Sequence, residues 1–138
     1  MNPSGNTVID KEMTQPVFPG GEKAMWRWLA ENMKYPIAAQ EVGVQGNITV
    51  QFFVDENGKP TNPTIHESKL ERVIVGGYGE KNKPITKKAT AEELAKGKKA
   101  LEKEAIRVAS AMPNFIPGTL NGKATKMQVL IPIMFKLR

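Results

Sequence analysis

Lys126-Met127-Gln128-Val129-Leu130-Ile131-Pro132-Ile133-Met134-Phe135-Lys136-Leu137 is the stretch on which the fold turns. Met127, Val129, Ile131, Ile133, Phe135 and Leu137 take alternate positions, with Lys126, Gln128 and Lys136 among the positions between them. An extended chain points successive side chains to opposite faces, so the alternation predicts a strand with one buried face. Pro132 falls on the outward set. Proline has no backbone N–H to give to a ladder, which predicts a sheet edge.

A second alternating stretch lies upstream. Ile48, Val50, Phe52 and Val54 form its apolar set, and Asn47, Thr49 and Gln51 its polar set, with Phe53 as an exception on the polar face. Asp55-Glu56-Asn57-Gly58 is a hairpin signal, because Asn-Gly accepts positive φ at little cost. The returning strand, about Pro60 to Glu67, contains Pro60 and Pro63 and is again predicted at an edge. Before these strands, Pro19-Gly20-Gly21 opens a helix whose stripe is Ala24, Met25, Trp28 and Leu29. Trp26 and Trp28 cannot share a helix face, so one is expected in the core and the other partly exposed. Asn32 and Lys34 end this helix. Pro36 can start a short second one, Ile37 to Val42, capped by Gly43. Leu101, Ala105, Val108, Ala109 and Met112 share one face of a later helix, which Pro113 stops.

The expected fold is α+β: a three-stranded antiparallel sheet in the order 2-1-3 with two main helices packed on one face. Residues 1–16 read as a flexible linker and 17–138 as the domain, with an inserted loop at about 69–100 and a possible helix from Ala91.

The chain has 138 residues, 40% hydrophobic and 25% charged, with no cysteine. One domain with a modest core is expected, without disulfides or thiolate chemistry. No apolar run reaches the ~20 residues that span a bilayer. The polar start, Met1 to Asp10, shows no signal peptide, so the chain reads as cytosolic or as part of a longer exported protein. The net charge is +6, of which +4 falls within residues 69–104, where aromatic residues are sparse. A single-strand nucleic-acid groove interleaves basic and aromatic residues on a sheet face, so a solvated basic segment is the expectation and no nucleic-acid partner is implied.

No catalytic constellation is legible. His66 is the one histidine, and a zinc site needs more ligands of that kind. Ser68 and Ser110 have no base at readable spacing. Asp55 and Glu56 are expected to serve their turn, and Glu102-Lys103-Glu104 reads as a solvated helix face. Gly76-Gly77-Tyr78-Gly79 lacks the spacing of a phosphate loop. No enzyme, metal or cofactor is expected.

Several motifs in order resemble the TonB C-terminal domain family. They are Tyr35-Pro36, Ala38-Ala39, Gly43 and Gly46 leading into Ile48–Val54, the Asp55–Gly58 hairpin, and Leu101 with Glu104-Ala105. Pro113-Asn114-Phe115, Pro117-Gly118, Asn121-Gly122-Lys123 and the terminal strand with Pro132 and Phe135 complete the set. The match covers about residues 16–68 and 101–138, and Phe18-Pro19-Gly20-Gly21 with Ala111–Pro113 resembles Bacteroidetes-type members. The resemblance implies the periplasmic domain of an inner-membrane-anchored energy transducer. Its partners would be TonB-dependent outer-membrane transporters and, through an N-terminal part absent from this chain, an ExbB/ExbD-type motor. The transporter's TonB box would add a strand at the last strand's edge, here Lys126, Met127, Gln128, Val129, Leu130, Ile131 and Ile133. Main-chain pairing at an edge tolerates many partner sequences.

Residues 69–100 depart from the family, where only a few residues join the second strand to the second helix. Within them, Val73, Ile74, Val75, Gly76, Gly77 and Tyr78 resemble the TonB-box region of SusC-like transporters, an internal mimic of the ligand, against a Gly-rich loop as the plain alternative. Two other functions stay open: the TonB-like tail of a BlaR-type membrane sensor or peptidase, and a basic nucleic-acid-binding domain.

Overall fold

The computed structural model describes residues 12–73 and 89–137. In chain order these form β1 (Met13–Thr14), α1 (Glu22–Asn32), α2 (Ile37–Glu41), β2 (Val44–Val54), β3 (Pro60–Arg72), α3 (Ala91–Ser110), β4 (Thr119–Leu120), β5 (Lys123–Ala124) and β6 (Met127–Phe135). The fold class is α+β. The main sheet is antiparallel in the order β3-β2-β6, which is the arrangement 2-1-3 of its three long strands.

The expectation of a single sheet is corrected. A second antiparallel sheet, β1-β4-β5, is built from strands of two residues each. Strands this short carry no period, so the alternation test cannot find them. β1 also takes Met13 and Thr14 out of the expected linker 1–16. Met13 pairs with Leu120 and Thr14 with Thr119, and the Asn121 amide donates to the Glu12 carbonyl at 3.1 Å. Residues 1–11 lie outside the described residues.

In the main sheet the two alternating stretches meet as their patterns require. Ile48 pairs with Ile133, Val50 with Ile131, and Gly46 with Phe135. These apolar side chains, together with Phe52 and Val54, are buried against Leu101, Ala105 and Val108 of α3. α3 starts on a capping box: Thr90 Oγ1 accepts from the Glu93 amide and the Glu93 carboxylate from the Thr90 amide, both at 3.0 Å. That reciprocal bonding satisfies two of the helix's orphan donors. α3 comes close to α2 at Gly97, where a Cβ would stand 2.9 Å from Val42 Cγ2 and 3.2 Å from the Ala38 carbonyl. Within the core an aromatic cluster forms, with Phe115 edge-on to Phe18 at 5.5 Å and to Phe52 at 5.7 Å.

β3 is longer than its sequence suggests. It survives two prolines because the register slips twice. Thr49 faces Glu67 and Val50 faces Ile65, leaving His66 extra; Gln51 faces Thr64 and Phe53 faces Thr61, leaving Asn62 and Pro63 against one residue of β2. Asn62 takes φ 54° to make the second slip. Bulges free Pro63 from the ladder donation it cannot make. The expected insert at 69–100 is narrower than read: Lys69–Arg72 continue β3 and Ala91 onward belongs to α3. Residues 74–88 lie outside the described residues.

Two outcomes follow from this packing. Phe52→Ala and Phe135→Ala should each lower unfolding free energy by about 3–5 kcal/mol, as read by urea denaturation. Removing residues 1–14 should lower the melting temperature by about 4 °C, equivalent to ~1 kcal/mol, with the drop arising between cuts after residue 11 and after residue 14.

Candidate functional site

The chemistry-bearing side chains are dispersed and structural. His66 is exposed at the first bulge of β3. The Asp55 carboxylate accepts from the Asn57 and Lys59 amides, both at 2.9 Å, and so serves the hairpin. Ser110 donates to the Ile106 carbonyl of its own helix at 2.8 Å. Among the described residues no cluster of three His, Cys, Asp or Glu could hold a metal, and no helix is long and apolar enough to cross a membrane.

The open edge of β6 is the feature left for function. Which of its backbone groups are open follows from β2. The Val73 amide donates to the Gly43 carbonyl at 2.7 Å, and at the other end of β2 the Asp55 amide donates to the Lys59 carbonyl at 3.0 Å. Successive residues of a strand direct their N–H and C=O to opposite sides. The odd-numbered residues of β2 therefore serve β3, and Gly46, Ile48, Val50, Phe52 and Val54 serve β6. Their partners Phe135, Ile133, Ile131, Val129 and Met127 turn their backbone groups inward. Gln128, Leu130, Pro132 and Met134 turn theirs to the side where no strand of the described residues pairs. Pro132 lies opposite Thr49, the position where its missing N–H costs the β2 ladder nothing.

The expected edge residues therefore divide. Ile131 and Ile133 are buried, and Met127 and Val129 half-buried; these side chains hold β6 to the core while their backbone groups pair with β2. Gln128 and Leu130 present open backbone groups. Met134 does so too, although the sequence reading omitted it; it stands on the outward set, the signal that identifies it. Lys126 precedes the strand, and its Nζ lies over the Phe53 ring, 5.3 Å from the centroid. That contact explains an aromatic on the polar face of β2. Of the expected internal mimic, Val73 extends the β2–β3 ladder by its bond to Gly43, and Ile74, Val75, Gly76, Gly77 and Tyr78 lie outside the described residues.

α1 runs beside this edge. Trp26, Ala30 and Met33, at helical spacing, bound a cavity of about 560 Å³ together with Pro132, Ile133 and Met134. The cavity is also lined by Leu29 on the core side and by Asn47, Thr49, Glu67 and Lys69, so it reaches across the outer sheet face to β3. Trp28 packs against the core and Trp26 is 40% exposed, the division expected for the two tryptophans.

A buried carboxylate fixes where α1 sits. Glu104 is 9% exposed, not on a solvated face as expected from its charged neighbours. Its Oε2 accepts from the Lys34 amide at 2.7 Å, and both its oxygens accept from Arg107, each at 2.7 Å. Arg107 Nη2 also donates to the Asn32 carbonyl, 2.9 Å away, at the end of α1. Burial alone would raise the Glu104 pKa, but the Arg107 fork and the Lys34 amide outweigh it and hold the carboxyl below its ordinary value. Next to this clamp, Tyr35 Oη donates to the Val44 carbonyl at 2.5 Å, beyond the point where β6 ends, and its ring meets Phe135 edge-on at 5.8 Å. Burial pushes the Tyr35 hydroxyl up to about 12.

A lowered folded-state pKa gives stability that is present above the ordinary carboxylate value and is lost as pH falls through the folded value. Glu104→Gln should therefore cost about 1–3 kcal/mol at pH 7. The difference in melting temperature from the wild type should shrink as pH is lowered through the range below ~4.3.

The family model described as the Gram-negative bacterial TonB protein C-terminal matches residues 31–74. That segment holds Tyr35, α2, β2, the hairpin and β3, and excludes α3 and β6. No curated protein matches the chain. A solution structure of the Helicobacter pylori TonB C-terminal domain is similar at 17% identity, covering 84% of this chain and 95% of that one, with a TM-score of 0.38. The likeness in sequence to the TonB C-terminal domain family is thus confined to residues 31–74, about a third of the chain.

Proposed function

We propose that this chain is the periplasmic C-terminal domain of a TonB-type energy transducer, which takes a transporter's TonB box as an added strand on β6. The observation that carries the reading is the open β6 edge, where four successive outward residues present backbone groups to no strand of the described residues. Unpaired groups of this kind are a template for strand addition. The family match supports the class of protein. The resemblance of the chain's motifs to Bacteroidetes-type members supports SusC-like transporters as the clients. An ExbB/ExbD-type motor would act through an upstream anchor. No residue cluster described above supplies a catalytic alternative, and the work proposed is mechanical coupling, with no bond made or broken.

Strand addition has a signature set by the alternation along β6. Titrating the protein with a synthetic peptide spanning the TonB box of a SusC-like transporter should slow amide exchange at Gln128, Leu130 and Met134. Val129, Ile131 and Ile133, already bonded to β2, should change little. Protection gained elsewhere, with these three amides unaltered, would refute the assignment of the edge.

A further inference from the structure

An edge alone would accept almost any extended chain. β6 has two features that narrow the choice. Its open side offers three donors, from Gln128, Leu130 and Met134, because Pro132 interrupts the series. The hydrogen-bond contribution of an added strand is correspondingly reduced, and side-chain contacts must supply more of the affinity. Those contacts are available beside the interruption. The cavity brings Trp26, Ala30 and Met33 of the α1 region against Pro132 and Met134, and its charged lining residues, Glu67 and Lys69 of β3, offset each other as an ion pair at 3.4 Å. Trp26 is 40%, Leu130 46% and Met134 62% exposed, so apolar side chains adjoin backbone groups that no strand of the described residues pairs.

Resting on the reading of β6 as the docking edge, we propose that α1 and β6 form one selective groove. Its occupant is an extended segment with an apolar middle and acidic ends, and Trp26 determines its specificity. The geometry assigns the positions. Residues of an antiparallel added strand opposite Ile131 and Ile133 point to the α1 side, where Trp26, Ala30 and Met33 receive apolar side chains. Those opposite Leu130 and Met134 lie on the outer face beside these two exposed residues. Lys126 and Lys136 are exposed just beyond the two ends of β6, so carboxylates at the ends of the segment meet opposite charge.

Pro132 and the two flanking lysines disfavour a second copy of this chain. Antiparallel self-pairing would bring two prolines into one ladder and remove two donors. In the register centred on Ile131 it would also place Lys126 of each copy against Lys136 of the other. A foreign strand brings neither defect.

The test uses the 138-residue chain and two capped peptides, Asp-Val-Ile-Val-Thr-Glu and its counterpart Lys-Val-Ile-Val-Thr-Lys. In a Trp28→Phe background Trp26 is the sole tryptophan and can be excited apart from the two tyrosines. The acidic peptide should shift its emission to the blue and protect the amides of Gln128, Leu130 and Met134. Trp26→Ala, at an exposed position that the fold tolerates, should weaken the acidic peptide about tenfold or more, with the melting temperature unchanged. The lysine-ended peptide should bind several-fold more weakly than the acidic one at low salt, with the gap closing as salt is added. Protection of the three amides together with unchanged affinity in Trp26→Ala would overturn the groove while leaving strand addition intact. No protection with either peptide would overturn both. Protection that appears without peptide as protein concentration rises would assign the edge to a second copy and overturn the choice of a foreign strand.

Discussion

β2 is paired along both of its edges. It is the one strand of the main sheet with a neighbour on both sides, and its residues serve β3 and β6 alternately. Everything outward of it inherits that alternation. It places Pro132 where the missing N–H harms no internal pair, and it determines which residues of β6 face the open side. It also leaves the Val44 carbonyl aimed past the end of β6, where Tyr35 takes it up. The Tyr35-Pro36 pair thus has a physical role: the tyrosine closes the ladder and the proline starts α2.

α1 is held differently. It contributes Met25 and Leu29 to the core, but the polar anchor at its C-terminal end is the Glu104 carboxylate with Arg107. A carboxylate this buried persists because every contact it makes is charge-assisted or donated by backbone. Through the Lys34 amide and the Asn32 carbonyl it ties the exit of α1 to the middle of α3. The wall that α1 forms beside β6 therefore rests on an electrostatic contact at the helix's C-terminal end, at the residues on either side of cavity-lining Met33.

Half-buried strands were legible because burial writes a period of two into them. Ile48–Val54 and Met127–Phe135 show it, and their pairing and the sheet order follow. β3 was read short, since beyond Glu67 it offers only Leu70 as a packed apolar residue and is held mainly by pairing with β2 across two bulges. Pairing partners far apart in sequence leave no local pattern. Glu104 was misread because Glu-Lys-Glu resembles a wet helix face. Its spacing of three from Leu101 and four from Val108 puts it on the buried stripe, so helical periodicity carried the signal and charge obscured it. At the candidate site the sequence marked the correct strand but not the division between side chains that anchor it and backbone groups that remain open. That division depends on hydrogen-bond parity, which is set by the neighbouring strand.

Under the proposed function, β1 gains a mechanical meaning. The backbone passes from Glu12 through Met13 and Thr14, whose neighbours are Leu120 and Thr119 at the turn leading to β5 and β6. Tension arriving from the N-terminal side reaches this two-residue pairing before it reaches α1 or the long sheet. Short antiparallel pairs give way one bond at a time, whereas β2, β3 and β6 would have to shear along most of their length. The small sheet would therefore yield first and lengthen the tether by a few residues, so that a sudden load is softened before it reaches β6, the proposed docking strand.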